Sequence, residues 1–132
     1  MKRLHLCVVP LLLLVFAGQA RSQGTIAWAT NYPATGSTAG SITVSGTVAT
    51  DSGWFAMSTS VTVRIWQDGL VVTTTTVPLT YSSPGNYTWG ASSISGLISG
   101  AIYNVTVEAT VINMQTFATA TLCTAPATAT AD

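Results

Sequence analysis

The sequence predicts an all-β fold, a two-sheet antiparallel sandwich of about seven short strands, and three observations support this prediction. Threonine makes up about a fifth of residues 21–132, and threonine and valine favour the half-buried surface of a pleated sheet. Lysine and glutamate, which are common on exposed helix faces, are nearly absent. Apolar residues recur at every second position, and Gly, Pro, Asn, Asp and Ser interrupt this alternation at short intervals.

The start of the chain predicts a secretory signal peptide at residues 1–20. Lys2 and Arg3 give a basic beginning, and a nearly unbroken apolar run follows at residues 6–16. Ala17-Gly18-Gln19-Ala20 then places small residues at the positions that a signal peptidase recognises. The apolar run is little more than half as long as a membrane-spanning helix. We therefore expect a secreted protein (extracellular, at the cell surface or periplasmic) without a stable membrane anchor.

The rest of the chain is long enough for one domain. Strand-like alternation extends to about residue 124, so we expect a single β-domain at residues 21–124. Residues 125–132 contain mostly threonine and alanine without an evident packing pattern, which predicts a flexible tail.

The first three strands follow from alternation and from the loops between them. Residues 25–30 are the first run of β-forming residues, and a Gly/Ser/Thr-rich loop follows at residues 31–40. Residues 41–49 and 60–67 alternate clearly, so each predicts a strand with one buried face. The residues expected to face inward on these two strands are Ile42, Val44, Val48, Val61, Val63 and Ile65.

A hairpin connects the third and fourth strands. Asp68-Gly69 is well suited to a two-residue turn because both positions require positive φ. The return strand at residues 70–76 should then place Val72 opposite Ile65.

The last three strands are expected at residues 86–90, 101–111 and 116–123. The first of them follows a turn at Ser83-Pro84-Gly85-Asn86. The second is the longest, and its expected inward-facing residues are Tyr103, Val105, Val107, Ala109 and Val111.

The stretch Leu97-Ile98-Ser99-Gly100-Ala101-Ile102-Tyr103, which precedes alternating valines, is similar to the tyrosine corner of fibronectin type III and related immunoglobulin-like (Ig-like) domains. Residues 41–47, 61–69 and 85–89 resemble parts of bacterial Ig-like repeats. The resemblance implies an Ig-like β-sandwich in which the Tyr103 ring packs in the core and its hydroxyl bonds to nearby backbone. It also implies a structural or binding module. Trp66 departs from the family pattern because it falls on the outward register of its strand.

Few residues capable of catalysis remain once the leader is removed. The only histidine, His5, and the only lysine, Lys2, lie within it. The remaining charged residues are Arg21, Arg64, Asp51, Asp68, Glu108 and Asp132. This set excludes a Ser-His-Asp triad and a Ser–Lys pair, and it offers no cluster of zinc or calcium ligands. We therefore predict a protein that is not an enzyme, with no catalytic residues, no metal and no cofactor.

The scarcity of lysine and arginine also limits the partners. Nucleic-acid binding requires clustered cations that neutralise phosphates, so it is excluded, and an anionic membrane surface is disfavoured for the same reason. Cys123 is the only cysteine after the leader, which leaves it as a small buried hydrophobic residue or as a thiol that links two chains. Asn86 and Asn104 begin glycosylation sequons that matter in a eukaryotic host.

The first candidate binding surface is the outer face of the strands at residues 60–67 and 101–111. In an Ig-like fold these strands are neighbours, which aligns Thr62, Arg64 and Trp66 with Asn104, Thr106 and Glu108. Arg64 and Glu108 could then pair, and Trp66 would lie beside Val71. Such a face could stack a sugar or a partner side chain. The alternative is a solvated sheet face with a weak ion pair.

The second candidate is the loop at residues 50–59, which carries Trp54, Phe55 and Met57. We expect it at the same end of the fold as Asn113-Met114-Gln115. Loops at a sandwich end often bind ligands. The alternative is that these apolar side chains fold back and cover the open end of the core.

Together these features predict an exported, non-catalytic Ig-like binding or structural module of the cell surface or envelope. Its partner, a protein or a polysaccharide, is not identified by the sequence. One alternative is a self-assembling surface-fibre subunit that associates through sheet edges or Cys123, because few charges protect the edges. Another is a small carbohydrate-binding domain that uses Trp66 or Trp54.

Overall fold

The computed structural model describes residues 23–132, and every regular element in this part is a β-strand. The predicted signal peptide lies outside the described residues. The ten strands are β1 (Gly24–Trp28), β2 (Ala34–Thr35), β3 (Ile42–Thr50), β4 (Trp54–Ala56), β5 (Ser60–Gln67), β6 (Leu70–Ser83), β7 (Asn86–Ile94), β8 (Ile102–Asn113), β9 (Thr119–Cys123) and β10 (Ala127–Thr130). The all-β prediction is confirmed. Three short strands, β2, β4 and β10, were not expected from the sequence.

The strands form one continuous antiparallel sheet in the order β1-β3-β7-β6-β5-β8-β10. In addition, β2 pairs with β3, and both β4 and β9 pair with β8. The sheet curls into a nearly closed barrel. Near the seam, the Asp132 N–H donates a hydrogen bond to the Ser41 carbonyl (3.0 Å), and the Gly40 N–H donates one to the Asp132 carbonyl (2.7 Å). The expected division into two sheets is therefore not clear-cut.

The long strand β6 is the reason that the sheet is continuous. Its first part, up to Pro78, pairs with β5, whereas its last part, from Leu79 onward, pairs with β7. Leu79 marks the crossing point, because its N–H donates to the Thr59 carbonyl (2.8 Å) while its register partner is Trp89. The sequence predicted that this strand ends at residue 76, whereas β6 continues to Ser83, seven residues further.

A single core lies inside the curled sheet. Every residue predicted to face inward on β3, β5 and β8 is buried. The strongest additions to this core are Val77, Trp89, Ile94, Leu122, Ala129 and Ala131. Trp89 is the large core tryptophan, and its ring meets the partly buried Trp28 edge to face, with ring centroids 5.4 Å apart. A core tryptophan was not evident from the sequence, because few apolar residues alternate around Trp89.

Tyr103 lies where the resemblance implied. Its ring is 3 % exposed and belongs to the core, and its hydroxyl oxygen accepts a hydrogen bond from the Ile98 N–H at 2.9 Å. Leu97, one residue earlier, packs against the same core. The Tyr103 side chain therefore links the segment just before β8 to the hydrophobic core.

The hairpin between β5 and β6 forms as predicted, but its register differs. Asp68 and Gly69 have φ values of 54° and 80°, in agreement with the turn expected from the sequence. A register shift between Ile65 and Trp66 places Ile65 opposite Thr73. The prediction that Val72 faces Ile65 is therefore wrong, and Val72 is exposed.

Two predictions for the end of the chain also need correction. Residues 127–130 form β10, which pairs with β8, and the Ala129 and Ala131 side chains are buried. Alanine side chains are small enough to fit where strands lie close together at the seam. The stretch that the sequence predicted to be a flexible tail is therefore part of the β-domain. Cys123 is disulfide-bonded and only partly buried, so the first of the two alternatives that the sequence left open, a small buried hydrophobic residue, is wrong.

Candidate functional site

The outer face of β5 and β8 has the predicted alignment. Thr62 lies opposite Glu108, Arg64 opposite Thr106, and Trp66 opposite Asn104. The Arg64 Nη1 atom lies 2.7 Å from the Glu108 Oε2 atom, and both side chains are partly buried. Trp66 and Val71 are cross-strand neighbours, as expected.

Trp66 does not offer a stacking surface in this arrangement. Its side chain is only 1 % exposed, although it lies on the outward register of β5. The indole Nε1 donates a hydrogen bond of 2.9 Å to the hydroxyl of Thr106, which is also buried. A ligand therefore cannot reach the ring face, and the Arg64–Glu108 pair beside it satisfies its own charges. These contacts favour a structural role for this face over the sugar-stacking hypothesis.

The second candidate region lies at one end of the fold, where the β3–β4 loop meets the β8–β9 hairpin. β4 pairs with the end of β8, with Trp54 opposite Asn113 and Ala56 opposite Val111. The Trp54 N–H donates to the Asp51 carbonyl (2.9 Å), and the Met114 N–H donates to the Gly53 carbonyl (3.2 Å). The prediction that the two loops share one end is confirmed, and backbone hydrogen bonds fix their arrangement.

The sequence left two roles open for the apolar residues of this loop, binding a ligand and covering the end of the core. Different residues of the loop are placed for each role. Trp54 is partly buried and packs against the core, so it covers the end of the interior. Phe55 and Met57 remain 45 % and 55 % exposed. Successive residues of a strand point to opposite faces, which explains why Trp54 turns inward while its neighbour turns outward.

A cleft of about 330 Å³ opens beside these residues. It is lined by Thr50, Asp51, Ser52, Gly53, Trp54, Phe55, Pro84 and Gly85. The loop of β3–β4 forms one wall and the β6–β7 turn forms the other, and the Thr50 N–H joins them by donating to the Gly85 carbonyl at 2.8 Å. We call this feature the loop-end cleft. The contribution of Pro84 and Gly85 was not evident from the sequence, because only the sheet pairing brings that turn to this end.

Two polar groups of the loop-end cleft lack partners. The Thr50 Oγ1 atom is buried and has no hydrogen-bond partner. The exposed Asp51 carboxylate forms no ion pair with any residue from 23 to 132. The Asp51 carboxylate and the exposed Phe55 ring therefore belong to residues that line one space, an arrangement suited to binding a polar ligand with an apolar face.

The β8–β9 hairpin presents a second apolar feature at this end. Phe117 has a φ of 61°, a left-handed conformation that is rare for a bulky residue, and its side chain is 69 % exposed. The Asn113 Oδ1 atom stabilises the turn by accepting hydrogen bonds from the N–H groups of Gln115 (2.9 Å) and Thr116 (3.1 Å). No sequence pattern predicted Phe117 at this position, because glycine or asparagine usually adopts such a φ.

Two other kinds of functional feature, a metal site and a membrane-spanning helix, were not found in the described part of the chain. Residues 23–132 contain no group of three His, Cys, Asp or Glu side chains placed to bind a metal. No helix in this part has the length and apolar character needed to span a membrane.

The sequence matches no protein-family model, and no curated protein is significantly similar to it.

Proposed function

We propose that the protein is an exported, non-catalytic binding module with an Ig-like fold, and that it binds its partner at the loop-end cleft. Export follows from the signal peptide predicted at residues 1–20. The absence of histidine and lysine after the leader favours binding over catalysis. The fold and the choice of site rest on separate observations.

The strand order supports the Ig-like assignment. Constant-type immunoglobulin domains pair strands A, B, E and D in one sheet and C, F and G in the other. Taken in chain order, β1, β3, β5, β6, β7, β8 and β9 correspond to strands A to G. The order β1-β3-β7-β6 then matches A-B-E-D, and β5-β8-β9 matches C-F-G. The first part of β6 departs from this scheme, because it also pairs with β5 and joins the two layers.

The tyrosine hydrogen bond supports the same assignment. In Ig-like domains the tyrosine corner lies near the start of strand F, and its hydroxyl bonds to backbone a few residues upstream. Tyr103 is the second residue of β8, and its partner is the N–H of Ile98.

The choice of site depends on one observation. The residues of the loop-end cleft combine an exposed aromatic ring with polar groups that lack partners. Phe55 is exposed, Asp51 has no ion pair in the described part of the chain, and the Thr50 hydroxyl has no partner. The outer face of β5 and β8 lacks these properties, because Trp66 is buried and Arg64 is paired with Glu108.

The proposal is tested by probing a panel of peptides and glycans with the exported protein and with two surface variants. Phe55→Ala should lose the binding that the wild type shows, because it removes the exposed ring of the cleft. Thr74→Glu should retain it, because this exposed β6 residue lies beside Arg64 on the outer face, away from the cleft. The reverse pattern would contradict the proposal.

Self-association through sheet edges is the second candidate function. The strands at the edges of the sheet, β1 on one side and β9 and β10 on the other, carry no charged side chain, and charges on edge strands normally prevent association. Sedimentation velocity at increasing protein concentration separates the two candidates. A monomer at all concentrations supports the binding module, whereas concentration-dependent polymers favour the fibre subunit.

A further inference from the structure

We propose that the loop-end cleft binds a cationic group, the ammonium of a lysine or the guanidinium of an arginine presented by a partner protein. This inference rests on the proposed function and specifies the chemistry of its ligand. Two properties of the cleft support it: its charge and its aromatic wall.

The charge of the cleft favours a cation. Asp51 is the only charged residue that lines it. Arg64, the only lysine or arginine among residues 23–132, is engaged with Glu108 at 2.7 Å, so the described part of the chain has no other cation for Asp51. Asp68 and Asp132 add further negative charge to the surface. The charges of residues 23–132 therefore attract cationic ligands to the cleft and repel anionic ones.

The aromatic wall favours the same ligand. Phe55 is 45 % exposed and lines the cleft. A cation placed over an aromatic face is attracted by the ring quadrupole, and the attraction is stronger where water is partly excluded. A carboxylate beside the aromatic face adds a charge-assisted hydrogen bond, which a neutral ligand cannot match.

Lysine and arginine side chains have only hydrogen-bond donors, and the exposed Asp51 carboxylate is an acceptor that lines the cleft. The cleft volume, about 330 Å³, is at the lower end of the range for small-ligand sites, which suits a single side chain rather than an extended chain.

The experiment titrates the exported protein with L-arginine amide, which has a guanidinium but no carboxylate, and with the uncharged sugars methyl glucoside and cellobiose. Binding is followed by isothermal titration calorimetry at low and high salt. We expect arginine amide to bind weakly and to lose affinity as salt rises, while the sugars do not bind.

Two variants and a matched control locate the interaction. Asp51→Asn should weaken arginine amide binding about tenfold and remove most of its salt dependence. Phe55→Leu, which retains apolar volume without the π face, should weaken it about threefold. Asp68→Asn removes the same charge at the distant β5–β6 turn, where asparagine tolerates the positive φ, and it should leave the affinity unchanged.

Each other outcome counts against a definite claim. If a sugar binds in a Phe55-dependent manner and arginine amide does not, the cationic ligand is wrong while the proposed site stands. If arginine amide binds equally well to wild type, Asp51→Asn and Phe55→Leu, both the ligand and the site are wrong. If no probe binds, the cationic ligand is rejected, and the peptide and glycan panel decides the proposed function separately.

Discussion

The Ile98 N–H donates a 2.9 Å hydrogen bond to the hydroxyl oxygen of Tyr103, five residues further along the chain. The ring of Tyr103 is buried in the core, whereas Ile98 is 66 % exposed. One side chain therefore links an exposed turn to the interior and fixes the path by which the chain enters β8. The strand that pairs with β4, β5, β9 and β10 begins at this point.

Replacing Tyr103 with phenylalanine should destabilise the fold by about 1 kcal/mol, because the ring remains packed while the Ile98 N–H loses its acceptor. Urea unfolding followed by tryptophan fluorescence measures the change. Tyr81→Phe is the matched control, since Tyr81 is exposed and should lose almost nothing. Equal stability of Tyr103→Phe and the wild type would show that the hydrogen bond does not stabilise the corner.

Replacing Gly46 with alanine should destabilise the fold by about 1–3 kcal/mol. A Cβ atom at this position would collide with the Trp89 ring and with the Ala27 carbonyl, and the backbone carbonyl cannot move without shifting β1. The neighbouring Thr47→Ala is the control, because Thr47 is exposed. Thermal unfolding of the two variants compares them directly, and a Gly46→Ala protein as stable as Thr47→Ala would contradict the packing described for Trp89.

Replacing Phe117 with glycine should stabilise the fold by up to about 1 kcal/mol, because glycine adopts the φ of 61° without steric cost. Phe117→Ala removes the same side chain but retains a Cβ atom, so it should not be stabilising. Chemical unfolding of both variants separates the backbone effect from the loss of the ring. A destabilised glycine variant would show that the ring contributes more than the strain costs. An alanine variant as stabilised as the glycine variant would show that removal of the ring, and not the backbone conformation, is the cause.

Replacing Ala131 with aspartate should destabilise the fold by several kcal/mol, because it buries a carboxylate at the seam of the sheet. Ala131 is 1 % exposed, and its N–H bonds to the Ala101 carbonyl at 2.9 Å. Thr130→Asp introduces the same charge at an exposed position one residue earlier and is the control. Similar melting temperatures for the two variants would restore the prediction of a loose tail.

The sequence was most informative where one strand face is buried. Alternation predicted the inward residues of β3, β5 and β8 correctly, because a one-residue slip would expose a whole row of valines. The Asp68-Gly69 turn was equally clear, since few residues adopt its φ values. Local chemistry specifies these features, so they can be inferred without tertiary contacts.

Features that depend on tertiary contacts could not be inferred in the same way. The register shift beside Trp66 exposes Val72, and no local feature of the sequence indicated this shift. The alanines of β10 have little hydrophobic character of their own, and they are buried only because β8 and the seam surround them.

The candidate site was predicted in part. Trp54 and Phe55 were identified from the sequence, as was the pairing of Arg64 with Glu108. The burial of Trp66 was not, because the outward register of a strand does not reveal what lies over it. The β6–β7 turn reaches the loop-end cleft only through the long path of β6, so its glycine looked like an ordinary turn residue.

The most direct test of the account is a ¹H–¹⁵N NMR titration of the exported protein with the strongest binder from the peptide and glycan panel. The account predicts that amide shifts concentrate at Asp51, Phe55 and Gly85, around the loop-end cleft. Shifts that concentrate instead at Arg64, Asn104 and Glu108, with the cleft unaffected, would contradict it.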